Sequence, residues 1–263
     1  MITTFNLFTV ISWIVTGVIS AILSSLFLLK NPGKRLNQLF AVGFLLWSFS
    51  MIFNGTIFSI AYHSLAIANA LRDIAVVCGI FSGFSLFVAA IGIYFGPESL
   101  NWKIYLPTIS ISTILSVFGA LNDWVTTDGL GGYKTTDNLA GKVCVQIISL
   151  LFVLVANVLL LLTYRASENS NAKRRIGFFV IGYSTILMGV FLFILDGIFD
   201  LFLEISPFFF PSLALITWVT GPILMLIGFH SKSSQENKSF ISKQLESKEQ
   251  FKHFEAGSAV IEK

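Results

Sequence analysis

Seven stretches of this 263-residue sequence contain no Asp, Glu, Lys, Arg or His: residues 5–29, 39–61, 74–95, 104–121, 143–164, 176–195 and 207–229. All 31 acidic and basic side chains fall between or beyond them. A helix rises about 1.5 Å per residue, so roughly 20 residues cross a hydrocarbon core about 30 Å thick. Each stretch is long enough, although the fourth, at 18 residues, is near the lower limit. A soluble helix would keep a polar face, and none is visible here. A membrane barrel would show short alternating segments, which are also absent. The sequence therefore predicts an all-α membrane protein, a seven-transmembrane helix bundle. Only 12% of residues are charged, against about 25% in soluble domains, which also excludes a disordered chain. Two cysteines cannot make a disulfide scaffold.

Orientation follows from the basic residues of the short loops. With the N-terminus outside, the inner loops hold Lys30, Lys34, Arg35, Lys103, Arg165, Lys173, Arg174 and Arg175, whereas the outer loops hold Arg72, Lys134 and Lys142. The tail adds six lysines on the inner side. The expected arrangement is N-terminus out and C-terminus in, a multi-pass protein of the cell membrane. The net charge of +3 fits anionic headgroups of the lipid bilayer and not nucleic acid. The first apolar run is 25 residues long with no basic region before it, which reads as a first span, not a cleaved signal. No connection is large enough for a folded domain. The organisation is thus a bundle over residues 1–230 and a charged cytoplasmic tail over 231–263.

Missing residue types exclude several chemistries. The last stretch lacks the lysine of a retinal Schiff base. Ligands for an intramembrane zinc are absent at membrane depth, because His63, His230 and His253 all lie outside the spans. No ionisable group stands in mid-membrane, as a pump requires. There is no phosphate loop or nucleophile–base pair. The expectation is a non-enzymatic protein with no catalytic residues, no metal site and no cofactor.

The remaining polar residues are the candidates for ligand binding. Asp196, Asp200 and Glu204 recur every four residues just past the outer end of the sixth stretch, among Ile198, Phe199, Leu201 and Phe202. That pattern reads as an interfacial amphipathic turn with one acidic edge, able to hold a cation or to pair with Arg72; a solvated loop face is the plainer reading. Asn54, Gln146 and Asn157 are the strongest polar side chains within the spans. Buried amides of this kind bridge neighbouring helices more often than they line a ligand pocket. Asn54-Gly55-Thr56 matches a glycosylation sequon but lies inside a span. The outer loop at 122–142 contains Trp124, and its Val-Thr-Thr at 125–127, Gly-rich centre and Tyr-Lys-Thr-Thr at 133–136 suggest a short hairpin over the bundle mouth. Gly79/Gly83, Gly92/Gly96 and Gly17/Ala21/Ser25 have the spacing of close helix contacts, within the bundle or in a homodimer. Cys78 and Cys144 fall near the outer ends of their spans and read as free thiols, with a bridge between them open on depth alone. Pro211, Gly221 and Pro222 can bend the last helix.

The segment Asn31-Pro32-Gly33-Lys34-Arg35-Leu36-Asn37-Gln38-Leu39-Phe40, followed by Trp47, resembles the N-terminal seven-transmembrane sensor region of histidine kinases. Helix number, orientation, the Gly-rich fourth-to-fifth connection and the Pro-bearing last helix are similar to that family. The resemblance covers about residues 5–230. It implies a stimulus received at the outer face or within the bundle and relayed by helix seven to a cytoplasmic output. Residues 246–261 resemble the entry segment of a PAS domain, which commonly follows such sensors. No phospho-accepting histidine context or ATP-binding region accompanies them, since His253 is followed by Phe254. The implied partner is a cytoplasmic histidine kinase or PAS-containing protein of a two-component system. The competing expectation is a small-molecule transporter with a polar path through Asn54, Gln146 and Asn157, which the lack of membrane-depth charge and of an internal repeat disfavours.

Overall fold

The computed structural model describes residues 4–61, 63–121, 125–127, 133–135, 148–203 and 209–230. Among these residues seven α-helices appear in order: α1 Thr4–Lys30, α2 Arg35–Ala61, α3 Leu65–Phe95, α4 Trp102–Ala120, α5 Ile148–Ala166, α6 Ser170–Leu203 and α7 Phe209–His230. Six of them, all but α5, are long and apolar enough to cross a membrane. Within the described residues α5 contributes a shorter apolar segment, Leu150–Ala166. The chain is accordingly helical and of multi-pass membrane character.

Neighbouring helices pack in the cyclic order α1, α2, α3, α5, α6, α7, and α7 closes back on α1. Helix α4 stands outside this ring, packed on α3. The reason lies in the side chains it offers: Leu115 and Ile111 meet Ile80, Phe84 and Phe152 of α3 and α5, while Leu106, Ile109, Ile114, Val117 and Phe118 are exposed. The bundle is thus apolar outside as well as inside, the expected state of a protein solvated by lipid. Among the described residues, its fully buried polar side chains are hydroxyls and the Asn54 amide. On α1 the buried residues Thr9, Ser12, Thr16, Ser20 and Ser24 recur every three or four positions and form one inward stripe. Thr16 and Ser20 donate to carbonyls one turn back, while Ser24 donates across to the Ala41 carbonyl of α2 at 2.7 Å. Ser82 of α3 donates likewise to the Gly43 carbonyl of α2, also at 2.7 Å.

Two helix boundaries correct the sequence reading. Helix α3 begins at Leu65, not at 74, because Ser64 caps it by accepting the Ile67 amide. Arg72 and Asp73 therefore lie two turns inside a helix and not in an outer loop. Helix α6 continues to Leu203, so Asp196 and Asp200 sit on its backbone and not in a turn beyond it. Absence of charge marks the part of a helix that meets hydrocarbon; backbone hydrogen bonding continues past that boundary until a cap or a proline ends it.

The hairpin forms as expected. Strand β1, Val125–Thr127, pairs antiparallel with β2, Tyr133–Thr135, in the register Val125↔Thr135, Thr126↔Lys134 and Thr127↔Tyr133. At the opposite face, Asn31 to Lys34 make a tight turn between α1 and α2. Asn37 donates to the Asn31 carbonyl at 3.1 Å and Gln38 to the Pro32 carbonyl at 2.8 Å, so the two amides of this motif hold the turn shut.

Candidate functional site

At the end of the bundle that carries the hairpin, Asn54 of α2 is 7% exposed and accepts a hydrogen bond at Oδ1 from Nη1 of Arg72 on α3. A guanidinium at this depth needs a partner, and the amide carbonyl provides one without adding a charge. One turn earlier on α3, Asn69 grips the hairpin at two points. Its Nδ2 donates to the Val125 carbonyl at 3.0 Å, and its Oδ1 accepts the Val125 amide at 2.8 Å. Val125 is fully buried against Ile57 and Ala68. The hairpin is thereby tied to α3 by the residue one turn before the Asn54–Arg72 contact.

The other candidates separate. Asn157 of α5 donates to the Ser184 hydroxyl of α6 at 2.9 Å, joining two neighbouring helices. Asp196 and Asp200 lie in the C-terminal part of α6. Trp124, Gln146 and Glu204 lie outside the described residues, as do Cys144 and the tail over 231–263. Cys78 is a free, half-buried thiol.

The small residues read as packing positions serve within the bundle. A Cβ on Gly17 would come within 2.7 Å of Ile52, and one on Gly79 within 3.2 Å of Ser50, both on α2. Gly83 faces Val153 of α5 at an ordinary 3.7 Å. Gly96 lies past the end of α3 at φ +92°, a backbone conformation that favours glycine.

The tightest helix contact was not anticipated. Gly182 and Gly189 of α6 and Gly221 and Gly228 of α7 lie in this contact, seven residues apart on each helix; Gly182 faces Gly221, Gly189 faces Thr217 and Trp218, and Gly228 faces Phe178. A Cβ on Gly182 would lie 2.7 Å from the Gly221 carbonyl oxygen, and one on Gly221 2.8 Å from the Gly182 oxygen. One on Gly228 would lie 2.5 Å from Phe178 Cβ. The sequence carries this signal as a seven-residue spacing, which a search at four residues passes over.

In the middle of this contact stands Trp218 of α7. Its ring meets Trp47 of α2 edge-on at 5.6 Å and Phe193 of α6 at 4.9 Å, and its Nε1 donates to the Ile186 carbonyl at 3.3 Å. Gly189 makes the room, since a Cβ there would lie 2.5 Å from Trp218 Cδ1. Pro222 follows four residues later, buried inside α7. Having no N–H, it withholds the helical bond from the Trp218 carbonyl, and its ring crowds that same group. Pro211 behaves differently from the expected bend: it falls in the first turn of α7, where no helical donor is lost. Two buried polar atoms nearby, Trp47 Nε1 and the Tyr183 hydroxyl, have no hydrogen-bond partner among the described residues.

At the end of the bundle that carries the Asn31–Lys34 turn, the ring leaves a partly open pocket of about 180 Å³. Phe27, Phe40, Ile93, Leu160 and Phe179 form its walls, and Asn37 and Arg175 are its polar members. Among the described residues no group of three or more His, Cys, Asp or Glu could hold a metal ion. No family model, curated protein or solved structure matches this chain.

Proposed function

We propose that this protein is a sensor or receptor module of the cell membrane, seven-spanning, with its N-terminus outside and its C-terminus inside. It is a non-enzymatic relay, passing a stimulus from the outer face or the bundle interior through α7 to a cytoplasmic histidine kinase or PAS-bearing partner of a two-component system.

The observation that carries this reading is the coincidence of a latch and a hinge in α7. Trp218 fastens the helix to α2 and α6, and Pro222 withdraws a backbone bond from that same residue. A helix loosened at the point where its neighbours hold it has two accessible packings, which a ligand can bias by binding one better than the other. Trp47 Nε1 and the Tyr183 hydroxyl, without a hydrogen-bond partner among the described residues, support this, since a buried polar atom left alone costs about 1–3 kcal/mol that a second packing can relieve. At the outer end, the hairpin, Asn69, Arg72 and Asn54 link an extramembrane segment to α2, the helix that carries Trp47. The transport reading is weaker because Asn54 and Asn157 each already hold a partner on an adjacent helix.

The test fuses the full chain to the cytoplasmic half of a histidine kinase with a transcriptional readout. Pro222→Ala and Trp218→Phe should shift basal output severalfold in opposite or equal directions, while Ile223→Leu, on the exposed side of α7, leaves it unchanged. Equal output from all three variants, each inserted at wild-type level, would reject the relay. Substrate uptake by proteoliposomes would favour transport instead.

A further inference from the structure

The relay through Trp218 and Pro222 leaves the buried hydroxyls of α1 unused, and two buried donors face them. Thr16 and Ser20 are fully buried, and each gives its proton to a carbonyl one turn back at 2.8 Å. Their oxygens keep lone pairs that can accept. The register of α1 against α2 is fixed by Ser24, bonded to the Ala41 carbonyl, and by Gly17, where an added Cβ would lie 3.1 Å from the Ser48 carbonyl oxygen. That register sets Trp47 opposite the turn from Thr16 to Ser20. In the ring α1 separates α2 from α7, so Trp47 and Trp218 meet in front of this face of α1. Trp47 Nε1 is buried there without a hydrogen-bond partner among the described residues.

Tyr183 of α6 completes the group. Gly182 and Ile186 abut Gly221 of α7, and Ser184 bonds Asn157 of α5, so Tyr183, between those two faces, enters the middle of the ring. It is 2% exposed and lies in one core cluster with Leu23 of α1 and Phe44 of α2, and its hydroxyl has no partner among the described residues. Ile186, one turn on, takes the Trp218 indole proton at its carbonyl, so Tyr183 stands one turn from the Trp47–Trp218 pair. Two donors, Trp47 N–H and Tyr183 O–H, thus share a level of the interior with two acceptors, Thr16 and Ser20. Among the described residues the fully buried polar side chains are hydroxyls and the Asn54 amide, so nothing there balances an ion. The partner these groups fit is neutral and both donates and accepts.

We propose that this level of the bundle binds water, one or two molecules that accept from Trp47 and Tyr183 and donate to Thr16 and Ser20. A buried water makes about three hydrogen bonds, within what these side chains offer. The proposal deepens the relay and rests on it in one respect: water and a second packing of α7 satisfy the same two donors, so bound water holds α7 in its present packing. The two fail separately, since radical labelling reads the water and kinase output reads α7.

The test exposes the full-length protein in nanodiscs to millisecond X-ray pulses and maps oxidised side chains by mass spectrometry, because radicals formed from a bound water attack the side chains beside it. Tyr183 should be oxidised roughly tenfold faster than Phe84, which is buried to the same 2% in an apolar cluster. Thr16→Val combined with Ser20→Ala removes both acceptors at little change in shape, and should slow oxidation of Tyr183 by roughly fivefold. Trp47→Phe should act in the same direction, so the result does not depend on one variant. Phe84 remaining at its parent rate shows that each variant is folded. Independently, Tyr183→Phe should lower the unfolding midpoint by about 2–4 °C, the worth of roughly one hydrogen bond in a chain of this size. A hydroxyl without a partner would raise the midpoint on removal. Oxidation of Tyr183 no faster than Phe84, oxidation undiminished in the double variant, or a raised midpoint in Tyr183→Phe would each overturn the site.

Discussion

Trp218 of α7 sets its indole edge-on against Trp47 of α2, 5.6 Å between ring centroids, while its Nε1 donates to the Ile186 carbonyl of α6. One side chain thus ties α7 to its ring neighbour α6 and, beyond its other neighbour α1, to α2, and it fits only because α6 has glycine at 189. A Cβ added there would press into the indole and into Thr217 Oγ1. Gly189→Ala should cost about 1–3 kcal/mol, the usual penalty of overpacking. Gly83→Ala, facing Val153 across 3.7 Å, should cost far less. Thermal unfolding of the two variants in one detergent compares them directly; equal midpoints would contradict the packing described.

Asn54 and Arg72 should be energetically coupled. Each variant alone, Asn54→Leu or Arg72→Leu, leaves the other partner buried, so the double variant should be less unstable than the sum. Coupling in membrane helices averages about 0.6 kcal/mol and reaches about 1.7, and a charged donor places this pair toward the upper end. A double-mutant cycle by reversible unfolding measures it, and strict additivity would separate the two residues.

Asn69 should hold the hairpin down. In Asn69→Ala both bonds to Val125 are lost, and the Val125 amide should exchange with solvent roughly tenfold faster for a loss near 1.4 kcal/mol. Asn69→Asp keeps the acceptor for the amide but not the donor, and should fall between. Exchange unchanged in Asn69→Ala would show that burial alone retains the strand.

Much of this arrangement was legible in the chain. Charge-free runs located the helices because hydrocarbon excludes charge, and Val125–Thr127 and Tyr133–Thr135 announced a hairpin through β-branched residues around glycines. The ends of α3 and α6 were not legible from charge, since Ser64 caps a helix irrespective of where the bilayer stops. Asn54 and Asn157 are visible as interhelical bridges, but not their partners: by charge alone Arg72 reads as a loop residue, and Ser184 is an ordinary hydroxyl in sequence. The α6–α7 contact was hidden because its glycines repeat every seven residues on two different helices. Likewise, the pocket at the Asn31–Lys34 end depends on which phenylalanines the ring brings together, which no local pattern encodes.

The proposed orientation, N-terminus outside, yields a direct expectation. In a variant with Cys78 and Cys144 replaced by serine, a cysteine at His63 should react with a membrane-impermeant maleimide on intact cells. One at Ser170 should react only after the cells are opened. The reverse pattern would invert the topology and place the tail outside.

The central claim is that α7 moves at Pro222. Spin labels at Leu29 of α1 and Ile227 of α7, both exposed, report the separation of the C-terminal ends of these two helices by double electron–electron resonance. In the cysteine-free background, Trp218→Phe, which releases the latch, should shift the distance distribution, and adding Pro222→Ala should restore a single narrow population. Superimposable distributions in the parent, Trp218→Phe and the double variant would contradict the account.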